Sequence, residues 1–148
     1  MLYIVSTPIG NLKDITLRAI ETLKSVDVIA AEDTRHTSIL CKEYGITAPL
    51  TSFFEHNEQA KAGQLLQALK DGKNVALVSD AGTPGVSDPG FRLIRLAKDN
   101  GIPVAVVPGA CAAIAALSLS GLPSDEFVFK GFLPMKPGQR RKAIEAAK

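Results

Sequence analysis

The chain has 148 residues, 46% of them apolar and 22% charged, which is the composition of one ordinary soluble domain with material for a core. No apolar run approaches the roughly 18 residues needed to cross a bilayer, and the N-terminus lacks the pattern of a signal peptide, so a cytoplasmic protein with no membrane partner is expected. The net charge of +2 is unevenly spread, with six bases against one acid over residues 130–148, a pattern that suits an RNA backbone or a plain solvated face.

Residues 2–6 form a short apolar run that stops at Pro8, Gly10 and Asn11, as a buried strand feeding a loop does. Residues 16–26 carry Leu17, Ile20 and Leu23 at helical spacing, with Asp14 placed to cap them. A second strand over 26–31 stops at the charged Glu32-Asp33-Thr34-Arg35, and a helix over 37–44 is closed by Gly45. A short strand over 50–54 ends at Glu55-His56-Asn57, where Asn57 is placed to cap the helix over 58–69. Another strand over 74–79 leads into a breaker-rich loop, 80–90, followed by a helix over 91–100 and a strand over 104–107. Pro108 and Gly109 open an Ala-rich helix over 110–120, residues 127–132 form a last apolar stretch, and a helical pattern begins near Gln139 without a stop signal before Lys148. That missing stop predicts a chain cut from a longer protein. The alternation predicts an α/β fold: a largely parallel, Rossmann-like sheet of about five strands with helices on both faces.

In such sheets ligands sit beyond the carboxyl ends of the strands, which singles out four loops: 7–11, 31–35, 79–90 and 108–112. The third is the strongest local signal. Gly82, Gly85 and Gly90 permit close backbone approach, while Pro84 and Pro89 fix the path between them. It matches neither the dinucleotide fingerprint nor the P-loop, and Asp80 would repel phosphate. A carboxylate among backbone donors suits a ribose hydroxyl, an amine or a sulfonium, although a structural loop with Asp80 and Asp88 as turn and cap residues is also open. Glu32, Asp33, Arg35 and His56 end strands on the same edge and are candidates to grip or deprotonate a substrate; capping and solvation explain them equally well. Cys41 and Cys111 lack metal-ligand spacing and read as buried small residues, so no metal site is expected.

Taken together, LYIVSTPIGNLKDITLRA at 2–19, AAEDTRHT at 30–37, VSDAGTPGVSDPG at 78–90, the segment 108–116 and GLPSD at 121–125 closely resemble the ribosomal RNA small-subunit methyltransferase I family, within the tetrapyrrole-methylase superfamily. The resemblance implies S-adenosylmethionine-dependent methylation of a cytidine ribose 2'-hydroxyl in the decoding region of 16S rRNA, by a homodimer. It also implies that residues 1–130 are the cofactor-binding domain and that 131–148 are a linker and the start of a second domain. By position it carries cofactor contacts onto Ile9, Ala81, Gly82, Thr83, Val86, Cys111 and Ala112, to which chemistry adds Asp80. Tetrapyrrole enzymes of the superfamily usually carry GxGxGD after the first strand; Ser6-Thr7-Pro8-Ile9-Gly10-Asn11 departs from it, which favours the RNA branch over a small-molecule methyltransferase. A non-catalytic binding or dimerisation module is the other alternative for the chain in isolation.

Overall fold

A computed structural model describes residues 1–147. Five strands, β1 (Leu2–Val5), β2 (Val28–Ala31), β3 (Leu50–Ser52), β4 (Val75–Val78) and β5 (Val104–Val107), form one sheet in the order β3-β2-β4-β1-β5. Every pairing is parallel. Parallel neighbours require crossovers, and these are the helices α1 (Leu17–Ser25), α2 (Thr34–Tyr44), α3 (Glu58–Lys70) and α4 (Phe91–Asp99).

Side chains alternate across the sheet, so each strand feeds two cores. Val5, Ile29, Ala31, Ala76 and Val78 meet Ala19 and Leu23 of α1 and Leu40 and Cys41 of α2 on one face. Leu2, Ile4, Ala30, Val75 and Leu77 meet Ala62, Leu65 and Leu69 of α3 and Leu93 and Ala97 of α4 on the other. Near-continuous burial of β1, β2 and β4 is what a sheet covered on both faces demands.

Local chemistry differs from the sequence reading at several ends. Helix α1 is capped by Thr16, whose hydroxyl accepts from the Ala19 amide, because Asp14 is absorbed into a 3-10 turn at Leu12–Asp14. Helix α2 starts three residues earlier than expected, with the Asp33 carboxylate accepting from the Arg35 amide. Asn57 precedes α3 but does not cap it with its side chain: its Oδ1 accepts from the Phe54 amide and its Nδ2 donates to Ser52, closing the turn after β3. Residues 127–132 form no strand, and Phe127, Val128 and Phe132 are exposed. Helices α5 (Ala112–Ser120) and α6 (Pro137–Glu145) contribute no buried residue.

Candidate functional site

All four loops singled out in the sequence follow parallel strands and therefore lie at one edge of the sheet. Strand β2 sends its chain outward to β3, while its neighbour β4 sends its chain the other way to β5, so the connections diverge between them. This is the kind of crevice where open α/β sheets hold ligands.

Two sets of hydrogen bonds tie the loops into one surface. At the β2–β4 crevice the Asp33 amide donates to Asp80 Oδ1 (3.1 Å), and the Asp80 amide donates to Glu32 Oε2 (3.3 Å). Between β1 and the Gly-rich loop, Thr7 and Gly82 exchange backbone hydrogen bonds of 2.9 and 3.2 Å as an isolated antiparallel bridge. Around that bridge the Ser6 and Thr83 hydroxyls are 2.8 Å apart, and the Thr7 hydroxyl donates to the Ser79 carbonyl. The β5 loop closes in from the other side: a Cβ at Gly109 would stand 2.9 Å from Ser6 Cβ, so glycine is required there by space. At Gly82 the reason is conformation, since its φ of +79° suits glycine, whereas a Cβ would meet only Ile9 Cγ2 at 3.8 Å and the Ala110 carbonyl at 4.0 Å. Gly82 is thus where the loops after β1, β4 and β5 converge.

Gly90, at the far end of the loop, is held differently. Its φ is +138°, and a Cβ would stand 2.7 Å from Leu77 Cδ2 in the core. Its amide and that of Arg92 both donate to Glu58 Oε1, at 3.1 and 3.3 Å. Glycine as N-cap offers helix α4 no side-chain acceptor, and a carboxylate from the first turn of α3 supplies one. Glu58 was missed from sequence because the residue it serves lies 32 positions away; the only local signal was a helix starting with a glycine.

The electrostatics of the crevice separate its carboxylates. Burial, opposed by the hydrogen bond from the Asp80 amide and assisted by Asp80, Asp88 and Asp33, pushes Glu32 above the ordinary carboxylate range. Burial likewise pushes Asp88 up, with Asp80 adding to the effect. Asp33 goes the other way, to about 2, chiefly through the hydrogen bond from the Arg35 guanidinium. That pair is close, with Arg35 Nη2 2.7 Å from Asp33 Oδ2.

Of the candidates to grip or deprotonate a substrate, Glu32, Asp33 and Arg35 therefore come together with Asp80. His56 does not join them: it follows the edge strand β3, beyond β2, with its exposed ring edge-on to Phe54 at 6.4 Å. His36, passed over in sequence, instead lines a cavity of about 350 Å³ together with Ile9, Asn11, Leu12, Ile39 and Asp80. Ile9 and Ala81 wall this cavity, while Thr83 stands beside β1 at Ser6. Val86 is exposed on the outer part of the loop. Cys111 and Ala112 begin α5, and Cys111 is exposed rather than buried, in contrast to Cys41.

Comparison with known proteins agrees with this arrangement. The chain is 59% identical over 145 residues to ribosomal RNA small subunit methyltransferase I of Escherichia coli O157:H7, a match covering 98% of this chain and 51% of that protein. The chain spans about half the length of the curated relatives it matches. Among solved structures, diphthine synthase superposes with a TM-score of 0.69 at 18% identity, covering 99% of this chain and 60% of that one. Uroporphyrin-III C-methyl transferase from Thermus thermophilus, complexed with S-adenyl homocysteine, superposes with a TM-score of 0.58 at 24% identity, covering 89% of this chain and 57% of that one. These two likenesses concern the fold. The family model described as Tetrapyrrole (Corrin/Porphyrin) Methylases matches residues 1–148, and with the parallel sheet and converging loops above, the chain belongs to that family.

Proposed function

We propose that this chain is the cofactor-binding half of an S-adenosylmethionine-dependent methyltransferase that methylates the 2'-hydroxyl of a cytidine ribose in 16S rRNA of the small ribosomal subunit. The observation that carries it is the 59% identity to ribosomal RNA small subunit methyltransferase I, in a match that covers 98% of this chain. In this reading residues 1–130 form the cofactor domain, and 131–148 lead into a second domain. The exposed Ile114, Leu119 and Leu122, together with Phe132 and Met135, support a covering partner of that kind, and a homodimer completes the assembly.

The residues fit a sulfonium nucleoside better than a phosphate. Ile9, Ala81, Gly82 and Thr83 offer mostly small side chains and backbone polar groups around the convergence point, Cys111 and Ala112 stand at the start of α5, Val86 is exposed on the outer loop, and Asp80 places a carboxylate at the crevice edge. S-adenosylmethionine supplies an activated methyl group and a neutral thioether leaving group. The protein's contribution is to hold the ribose oxygen in line with that methyl group, and such alignment contributes roughly 7–11 kcal/mol. Of the acid–base candidates we assign the hydroxyl proton to Glu32, which is held at the crevice by the Asp80 amide and whose proton affinity burial raises, while Arg35 lowers that of Asp33. A general base of this kind contributes about 10²- to 10⁴-fold.

Calorimetry with S-adenosylmethionine and transfer of labelled methyl to small ribosomal subunits test the reading. Binding together with label in a 2'-O-methylcytidine is expected; label found only in a tetrapyrrole acceptor would overturn the substrate and leave the cofactor standing.

A further inference from the structure

We propose that the cavity between the β1 loop and helix α2 is a subsite for the cytosine base of the target nucleotide. The proposal rests on the methyl-transfer reading above and adds to it the place and the chemistry of base recognition.

Position is the first argument. Ile9 and Ala81 wall the cavity, and both belong to the surface assigned to the cofactor. Ile9 Cγ2 is also the atom nearest to where a Gly82 side chain would begin, at 3.8 Å. A ring in the cavity is therefore separated from the Gly82 surface by the thickness of one side chain, and its attached ribose reaches the loop edge.

Size and walls are the second. At about 350 Å³ the cavity lies at the small end of ligand sites, suited to one nucleoside and not to a macrocycle. Leu12 and Ile39 line it and remain 36% and 57% exposed, which leaves apolar surface for a flat heterocycle to cover. A base held there must leave its helical stack, as enzymes acting on single nucleotides require.

Polar groups distinguish the pyrimidines. Asn11 uses its Oδ1 to accept from the Lys13 amide, which leaves its side-chain NH2 as a donor, and exposed His36 supplies a further ring nitrogen. These suit the O2 and N3 acceptors of cytosine. Asp80 uses Oδ1 for the Asp33 amide, and its second oxygen has no partner among the described residues. That oxygen accepts from the exocyclic amine of cytosine and opposes the carbonyl that uracil carries in its place.

The chain has only two histidines, His36 and His56, so their ring resonances report the site directly. With the protein saturated by S-adenosylhomocysteine, titration with cytidine 5'-monophosphate is expected to shift the His36 signals and leave those of His56 in place. Uridine 5'-monophosphate should need at least about tenfold more ligand, the discrimination that one well-placed contact supplies. Ile39→Trp, at an exposed position where folding is spared, fills the cavity: affinity for S-adenosylmethionine should stay within about twofold, while kcat/KM for small ribosomal subunits falls about 50-fold or more. A His36 signal that cytidine 5'-monophosphate does not move, or Ile39→Trp methylating at the wild-type rate, would overturn the subsite. Wild-type protein that shifts His36 with the nucleotide yet never methylates small-subunit rRNA would overturn the function proposed above and retain the subsite.

Discussion

Glu32 holds its carboxyl where burial and three neighbouring acids oppose ionisation, an arrangement that costs stability whenever the group is charged. Its pKa is raised on folding, so the native state binds more protons than the unfolded state as pH rises from the ordinary carboxylate value through the raised one. Stability is lost across that window and the loss is complete above it. Glu32→Gln should therefore melt at a higher temperature than wild type near neutral pH, and the gap should close below the ordinary carboxylate range; scanning calorimetry across pH measures this. The same substitution should lower kcat by about 100-fold or more if Glu32 takes the hydroxyl proton. Gain in stability with loss of activity is the expected mark of a strained functional group. The glycines divide in the same manner. Gly90→Ala collides with Leu77 in the core and should cost about 1–3 kcal/mol in urea unfolding. Gly82→Val puts a β-branched side chain at a φ of +79°, 3.8 Å from Ile9 Cγ2, and should cost about 1–3 kcal/mol in urea unfolding through backbone strain, while calorimetry on the folded variant shows S-adenosylmethionine binding abolished.

At the scale of elements, one contact between helices secures the Gly-rich loop. Glu58 at the start of α3 caps α4 and fixes the loop's last residue, with Arg92 Nε 3.9 Å from its second oxygen. Glu58→Ala should cost about 1–2 kcal/mol by leaving two amides without their acceptor, and it should weaken cofactor binding by displacing the loop; Glu58→Gln, which keeps an acceptor oxygen, should restore most of both. Unfolding and calorimetry on the two variants separate the effects. This contact also shows where the sequence stops being readable. Strand β5 was legible at both ends because Gly101 and Pro103 precede it and Pro108 and Gly109 follow it. The Gly45 stop of α2 was legible as a local signal too, whereas its start was set three residues late and Asp33 stood only among several residues that could cap. The roles of Asp14, Asn57 and Glu58 were not: each has a polar side chain beside a helix start, and only three-dimensional contacts decide whether it caps its own helix, closes a turn or serves another helix. Cys111 was misread because a free cysteine without ligand spacing reads as a buried small residue, whereas Cys111 stands at the N-cap of α5, a helix with no buried residue, and is exposed. His36 and His56 differ only in tertiary placement, α2 bordering the crevice and β3 lying at the sheet edge.

For the molecule as a whole, the sheet order brings the site together. Placing β4 between β2 and β1 brings an acidic crevice on one side and a tight three-loop junction on the other to the same strand end, and the Gly-rich loop takes part in both. Among the described residues no helix is long and apolar enough to cross a membrane. The exposed apolar side chains of α5 and the segment after it, Leu119 and Phe132 among them, are the kind of surface that another protein surface covers. The 148-residue chain alone should bind a hydrophobic dye and self-associate in sedimentation, and Leu119→Glu with Phe132→Glu should reduce both. In the function proposed above, the protein to which this chain belongs transfers a methyl group to a ribose in small-subunit rRNA. Mass-spectrometric mapping of ribose methylation in that RNA, from cells lacking the protein and from the same cells with it restored, tests this most directly. One 2'-O-methylcytidine should be lost without the protein and regained with it; an unchanged methylation pattern would contradict the proposed function.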